Sequence, residues 1–343
     1  MDKIDIKNLS KADLEDKMKE LGQEPYRAAQ VFRWLYRVGV KSFDEMTDVP
    51  SDLRQRLKEK FHISRLVMLD SKRSLLDGTT KYLCKLEDAN TIETVFLPQG
   101  KRSTICLSSQ VGCKYACPFC ASAPFGFIRN LTSSEILDEV IFIKNQHSDS
   151  SITNLVFMGI GEPLDNYDNV MNSIRIFNDK DAFNIGARRI TLSTCGIIPG
   201  IEKLKKEGLQ IELSISLHSA DDSTRSKLVP VNRKYPLKDL MATSKDYIRS
   251  TNRVITFEYV LIKGLNSSKE DAIKLAKLLK GLKCKINTIS YNRASTKEYS
   301  QPTAEDVKMF IGTLKANGIN ATHRKSRGED IDAACGQLRI SRL

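Results

Sequence analysis

Cys113, Cys117 and Cys120 stand in Cys113-Lys-Tyr-Ala-Cys117-Pro-Phe-Cys120, a C-x3-C-x2-C spacing. Thiolates so spaced can grip one face of an inorganic cluster. A [4Fe–4S] cube normally takes four cysteine ligands, so three leave one iron open to bind and break a substrate. The loop suits this: Gly112 precedes the first thiol, small Ala116 lies within, and Phe119 can shield a cluster from water. A zinc knuckle, with its fourth ligand drawn from the five other cysteines, is the alternative that spacing leaves open.

Three further stretches carry groups that could hold a small polar ligand. Met158-Gly-Ile-Gly-Glu-Pro163 brings glycines that let backbone approach closely, and Glu162 could accept from an ammonium group. Ser193-Thr-Cys-Gly196 and Ser216-Leu-His218 offer hydroxyls to a ribose or a carboxylate. Each alone is weak, since a serine at a strand end is more often a cap and His218 has the alternative of a satisfied core histidine. Glu93, among apolar neighbours on a strand, reads as a buried or site-facing carboxylate. Cys84, Cys195 and Cys284 read as packing residues, and Cys106, taken alone, as a buried strand cysteine.

The elements that must position these residues divide the chain into three stretches. Residues 1–65 read as short helices: Ser10 with Asp13 caps one carrying Leu14, Met18 and Leu21, Pro25 opens a second, and a third follows Pro50-Ser51. Arg27, Arg33, Arg37 and Lys41 give this module a basic face. Residues 66–100 alternate as strands around an Asp77-Gly78 turn and read as a small linking sheet. Residues 101–343 alternate strand and helix. Strands are expected at Thr104–Ser109, Asn154–Met158, Arg189–Ser193, Leu213–Leu217, Val254–Val260 and Lys285–Ser290, and one more at Ile319–His323. Such alternation means an α/β fold with a parallel sheet, open or curled into a barrel, whose strand C-terminal ends carry the site. The cysteine loop and all three polar stretches fall at such ends.

The formal net charge is +12, from 54 Lys+Arg against 42 Asp+Glu, which favours a polyanionic partner such as nucleic acid. Apolar residues at 41% and no long apolar run exclude a membrane-embedded chain, and the first residues lack the apolar core of a signal peptide. The reading is a cytoplasmic protein, where cysteines serve as ligands or catalysts rather than staples.

Cys113, Cys117, Cys120 and Phe119 resemble the cluster motif of the radical S-adenosylmethionine (SAM) superfamily, and Met158–Pro163 resembles its methionine-amine motif. Gln110-Val-Gly-Cys113, Gly126-Phe-Ile-Arg-Asn-Leu131, Gly161-Glu-Pro-Leu-Asp-Asn-Tyr-Asp168 and Asp330-Ile-Asp-Ala-Ala-Cys-Gly-Gln-Leu338 together resemble the dual-specificity ribosomal RNA adenine methyltransferases (the RlmN/Cfr family). Ala121-Ser-Ala-Pro124 departs from relatives that often carry Gly or Thr there, without touching the ligands. The resemblance implies a partial (β/α)6 barrel of the radical SAM type with a small helical N-terminal domain. It implies one [4Fe–4S] cluster on Cys113, Cys117 and Cys120, and two SAM molecules per turnover. Cys335 would carry a methyl group, Cys106 would resolve a covalent protein–RNA adduct and leave a disulfide, and Glu93 would accept a proton. Gly161, Glu162, Ser193, Ser216, Leu217, His218 and Asn292 would contact SAM. The implied reaction is methylation of adenine C2 in 23S rRNA and tRNA, with an electron donor such as flavodoxin. The basic N-terminal helix, Arg188-Arg189 and Arg324-Lys-Ser-Arg327 are the expected RNA-facing surfaces.

The nearest rival is the C8-methylating resistance branch, which uses the same cysteines; Gly-Glu-Pro-Leu followed by Asn-Tyr-Asp looks more like the C2 branch. An iron–sulfur electron carrier would need neither Cys335 nor Cys106, and a non-catalytic RNA-binding protein would consume no SAM.

Overall fold

Ser10 Oγ and the Asp13 carboxylate exchange hydrogen bonds with each other's backbone, starting α1 (Lys11–Glu20), which buries Leu14 and Met18. The computed structural model describes residues 3–292 and 299–340. Pro25 precedes α2 (Tyr26–Arg33), whose Ala28, Val31 and Phe32 stripe is buried, and a π-helical turn, Trp34–Val38, prolongs it. The third helix, α3 (Ser51–Lys60), buries Leu53 and Leu57. This module docks through a buried ion pair. Lys7, 1% exposed, donates to the Ser64 carbonyl at 2.7 Å and pairs with Asp138 on α4 (Ser133–Gln146).

Ten strands form one sheet: β1 (Val67–Arg73), β2 (Thr80–Lys85), β3 (Thr91–Gln99), β4 (Arg102–Cys106), β5 (Asn154–Phe157), β6 (Ile190–Thr194), β7 (Glu212–Ser216), β8 (Ile255–Leu261), β9 (Cys284–Ser290) and β10 (Ala321–His323). The first four pair antiparallel; β4 to β10 are parallel neighbours in chain order. Helices α4, α5 (Tyr167–Asn178), α6 (Ile198–Leu204), α7 (Asp222–Leu228) with α8 (Leu237–Thr251), α9 (Lys269–Leu279) and α10 (Ala304–Ala316) make the crossovers. Thr132 with Glu135 and Thr303 with Asp306 cap α4 and α10 through reciprocal boxes, as their sequences require.

Two expectations need correction. The strands of 66–100 do not make a separate linking sheet: β3 hydrogen-bonds to β4, with Val95 opposite Cys106, so they extend the main sheet. A segment linking two modules can pair with any free edge, and β4 offers one. The strand expected to reach Ser109 stops at Cys106, because both Glu139 carboxylate oxygens take the Ser108 N–H at 3.1 Å.

The parallel arc is open, and the chain beyond β10 bridges it. Arg327 Nη2 donates to the Asp77 carbonyl at 2.8 Å, Lys81 Nζ to the Asp332 carbonyl at 3.0 Å, and the Arg339 N–H to Glu93 Oε2 at 2.9 Å. Asp77, Lys81 and Glu93 belong to the β1–β3 edge, so this strap spans from one end of the sheet to the other and requires the sheet to curl. The result is a partial barrel. Among the described residues no helix is long and apolar enough to cross a membrane.

Candidate functional site

The cysteine loop leaves β4 through a short hairpin, Gln110–Gly112 against Phe127–Asn130. Gly112 has φ +78°, and a Cβ there would lie 2.0 Å from the Gly126 carbonyl oxygen. Glycine alone lets the two backbones close the neck of the loop. The Cys113 N–H donates to that carbonyl at 2.8 Å, and the Cys120 N–H donates to the Cys117 carbonyl at 2.9 Å. Tyr115 Oη donates to Asp165 Oδ1 at 3.1 Å and Lys114 pairs with the same carboxylate at 2.7 Å, fastening the loop to the segment after β5. On its other side the loop holds the strap: the Ala121 N–H donates to the Gly336 carbonyl at 2.7 Å and Ser122 Oγ to the Leu338 carbonyl at 2.7 Å. Cys335 is thereby set against the cysteine loop, although 215 residues separate it from Cys120.

A cleft of about 1310 Å³, its open mouth included, lies at the C-terminal ends of the parallel strands. Of the residues singled out in the sequence, Cys113, Cys117, Cys120, Gly161, Glu162, Ser193, Ser216, His218, Asn292 and Cys335 line it. Leu217 does not: its side chain is fully buried in the core, because successive residues at a strand end point to opposite faces. Only its backbone works near the site, its carbonyl accepting from Arg225 Nε at 3.1 Å. Cys106 and Glu93 lie beneath the wall. Cys106 is 9% exposed at the end of β4; burial raises its thiol pKa first and the nearby Cys335 sulfur raises it further. Glu93, 5% exposed, pairs with Lys81 at 3.1 Å and accepts from the strap through Arg339.

Glu162 is 3% exposed, its oxygens accepting from the Leu164 N–H at 3.0 Å and the Cys195 N–H at 2.7 Å. Burial raises its pKa, so a cation arriving in the cleft would find a carboxyl short of a counter-charge. His218, at φ +58°, accepts the Val260 N–H on Nδ1 at 3.0 Å, and burial pushes its pKa down to about 3. It is therefore a neutral ring with its proton on Nε2, stacked edge-on to Phe119 at 4.8 Å.

Sequence reasoning missed several residues of this site. Arg225, on α7, is fully buried and reaches four oxygens: Leu217 O at 3.1 Å, Cys195 O at 2.8 Å, Ser216 O at 3.2 Å and Asn232 Oδ1 at 2.5 Å. Burial lowers its pKa to about 10. In Asp221-Asp-Ser-Thr-Arg225 it reads as an exposed helix residue, and nothing local signals otherwise. Cys195 packs against the core, as its reading has it, and also lines the cleft. Glu258 lines it too, accepting from Asn287 Nδ2 at 3.1 Å and facing Arg324 at 4.0 Å. Alternation along β8 marks Glu258 as facing away from its buried neighbours, a signal that was available.

The cluster loop suits a group gripped by separate irons. Among the described residues no three His, Cys, Asp or Glu side chains converge on a single point. Burial, the largest effect at all three, raises the thiol pKa of Cys113 to about 12, of Cys117 well above its ordinary value, and of Cys120 upward. Desolvated thiols sharing one cavity ionise only against a strong cation, which iron would supply.

Comparison with known proteins agrees with this geometry. Residues 107–278 match the model of the radical SAM superfamily, and residues 4–63 match that of the ribosomal RNA large subunit methyltransferase N-terminal domain. A probable dual-specificity RNA methyltransferase RlmN from Clostridioides difficile (strain 630) is 44% identical over 98% of this chain and 98% of its own length. One from Alkaliphilus oremlandii (strain OhILAs) is 42% identical over 100% of this chain and 99% of its own. A crystal structure of a radical SAM methyltransferase from Sphaerobacter thermophilus superposes with a TM-score of 0.93 at 41% identity, over 98% of this chain and 99% of that one.

Proposed function

The chain belongs to the RlmN family of radical SAM RNA methyltransferases, and from that premise we propose that it methylates carbon 2 of an adenine in 23S rRNA and in tRNA. The observation that carries this reading is the strap: it seats Cys335 in the same cleft as the three loop thiols, with Cys106 buried close beneath. An electron carrier has no use for that thiol pair, and an RNA-binding protein has none for the cleft.

Cys113, Cys117 and Cys120 would hold the [4Fe–4S] cluster. Bound there, it would supply the single electron, drawn from a flavodoxin-type donor, that splits SAM into methionine and a 5′-deoxyadenosyl radical. The chain's own groups do the rest. Glu162, short of a counter-charge, receives the methionine ammonium; Ser193, Ser216 and Asn292 offer polar atoms to the carboxylate and ribose, and neutral His218 walls the adenosyl side. Cys335 takes a methyl from a first SAM by displacement, forming S–CH3 as the sulfonium bond breaks and the thiol proton leaves. Carbon 2 of adenine is no nucleophile, so the bond to it forms only after hydrogen is abstracted from that methyl. Glu93 takes the proton from carbon 2 as the adduct gives up its unpaired electron, which would return to the site that supplied the first one. Cys106 then attacks the Cys335 sulfur as its own thiol proton leaves, the disulfide forms, the S–C bond breaks, and the released carbon takes up a proton to become the methyl group on the base. Two SAM molecules are used per methyl group delivered.

Anaerobic incubation of the reduced holoenzyme with labelled SAM and either a 23S rRNA fragment or tRNA, followed by nucleoside analysis, tests this. The expected product is 2-methyladenosine from both RNAs. Exclusive 8-methyladenosine would overturn the regiochemistry, and RNA methylation undiminished in Cys335→Ala would overturn the mechanism.

A further inference from the structure

The hairpin joining β1 to β2 ends in Ser74-Leu75-Leu76-Asp77-Gly78-Thr79, and its tip presents Leu75 at 97% and Leu76 at 81% exposure. A leucine left in water forgoes the free energy that burying it would gain. Two adjacent ones on a floppy loop would be unremarked, but this loop is stiff. Ser74 Oγ accepts from the Leu76 and Asp77 N–H groups at 3.1 and 3.3 Å, the Ser74 N–H donates to the Thr79 carbonyl at 2.8 Å, and the Thr79 N–H donates to Asp77 Oδ1 at 2.9 Å.

The tip is also tied to the cleft. Asp77 accepts from Arg327 Nη2 through its carbonyl at 2.8 Å and from the Gly328 N–H through Oδ2 at 3.1 Å. At Gly328 the strap crosses so closely that a Cβ would lie 2.8 Å from Thr79 Cγ2. One residue earlier than Arg327, Ser326 Oγ donates to Oδ1 of Asn292 in the cleft wall at 2.7 Å. Steps of about 3.8 Å per residue put the leucines on the order of 10–15 Å from the rim. Lys72 and Arg73 on the hairpin are exposed beside the tip, and Arg324 and Lys325 are exposed on the strap between it and the cleft, on a chain of net charge +12.

We propose that Leu75 and Leu76 form an apolar wedge that enters the base stack of the RNA beside the target adenine and holds open the gap left when that base turns into the cleft. This rests on the reading of the chain as an RNA methyltransferase. A base that must meet a sulfur inside a cavity has to leave its stack, and apolar side chains inserted at the step offset the stacking that is lost. The surrounding cations hold the flanking phosphates, which position the RNA without reading it. Asp77, its carboxylate occupied by the strap, adds no repulsion of its own at the tip. The same two residues that connect the tip to Asn292 set its distance from the site.

The test uses the full-length holoenzyme and the Leu75→Ser/Leu76→Ser double variant, with RNA carrying 2-aminopurine next to the target adenine. Parent and variant are expected to cleave SAM equally and to bind RNA within about threefold. The variant should methylate folded RNA at least tenfold more slowly and lose most of the fluorescence rise that reports unstacking. An RNA whose target base is already unpaired by a mismatch should restore its rate to within about threefold of the parent. Unchanged methylation and fluorescence would overturn the wedge, as would loss of SAM cleavage that Leu75→Met/Leu76→Met fails to show, since the tip would then be structural. A parent dimer converted to monomer by the variant, with RNA readouts intact, would assign the leucines to self-association instead. A parent that methylates no RNA would overturn the underlying reading, and that result shows in the control lane.

Discussion

Replacing Arg225 should cost more stability than its place on a seven-residue helix suggests. Arg225→Met keeps the volume and removes the donors that reach Leu217 O, Cys195 O, Ser216 O and Asn232 Oδ1. The Leu217 carbonyl retains the Ser219 N–H at 2.8 Å, so it is not orphaned. The Cys195 carbonyl and Asn232 Oδ1 lose their guanidinium donors, at about 1–3 kcal/mol each for a buried acceptor left alone. Against that stands relief from burying a cation, visible in the lowered pKa of the arginine. The balance is a loss of about 3 kcal/mol. In urea, with a slope on the order of 3 kcal/mol per molar for a chain of this size, the midpoint should fall by about 1 M. Arg225→Lys should fare little better, because one ammonium cannot reach oxygens on three sides. The loss should spread to the site, since the Cys195 N–H holds Glu162 at 2.7 Å and Ser216 lines the cleft. Denaturation of the iron-free protein isolates the folding effect, and SAM binding measured on the holoenzyme reads the second. A midpoint unchanged within 0.3 M, an assay-scale limit set by extrapolation error of roughly a tenth, would refute the reasoning.

Two other outcomes follow from buried groups. Burial pushes the Asp138 carboxyl pKa up to about 6 from 3.8 despite the Lys7 ammonium beside it, so between those values the folded state holds a proton that the unfolded state has released. That contribution to stability is present at pH 4 and lost as pH rises through 6, and Asp138→Asn should remove a slope worth about 2 kcal/mol between pH 4 and 7. Urea titrations of parent and variant at both pH values, taken as a difference, cancel the repulsion shared by all the other charges; parallel lines would exclude the effect. Gly161→Ala should weaken SAM binding at least tenfold, about 1.4 kcal/mol, because φ there is +104° and a Cβ would sit 2.6 Å from Gln110 Cβ, displacing the Glu162 that follows. Calorimetric titration with SAM checks it, and unaltered affinity would show that the Gly161 backbone is not part of the cradle.

Most of the parallel arc was legible because the strands are short apolar runs separated by helices, several of which carry their caps in the sequence. Thr132-Ser-Ser-Glu135 and Thr303-Ala-Glu-Asp306 carry their caps in the sequence itself. The site residues at strand ends were legible for the same reason: a strand end is where α/β folds place chemistry. What stayed hidden depends on distant partners. Whether 66–100 makes its own sheet depends on which edge is free, and that is a property of β4. Arg225 looks solvated until the ends of β6 and β7 are placed above it. Leu217 stands between two cleft residues, and only the geometry of the strand end turns its side chain inward. Cys106 and Cys335 could be paired through resemblance alone, since no local pattern links positions 229 residues apart.

The barrel is open because β3 already occupies the far edge of β4, so β10 finds no ladder partner there, and Cys335 reaches the cleft on the strap that follows β10. The strap closes the gap with other contacts: Arg327 and Gly328 to Asp77, Lys81 to Asp332, Glu93 to Arg339, and the cysteine loop to Gly336 and Leu338. Each is a single polar contact, worth on the order of 1 kcal/mol net, and they are not cooperative in the manner of a ladder. A stretch held in this way can give locally while the sheet stays folded. Under the proposed chemistry the Cys335 sulfur must meet a sulfonium, then a base, then Cys106, and no single rigid position serves all three. An arc sealed by discrete contacts fixes the thiol near the cleft and leaves it free to make those moves.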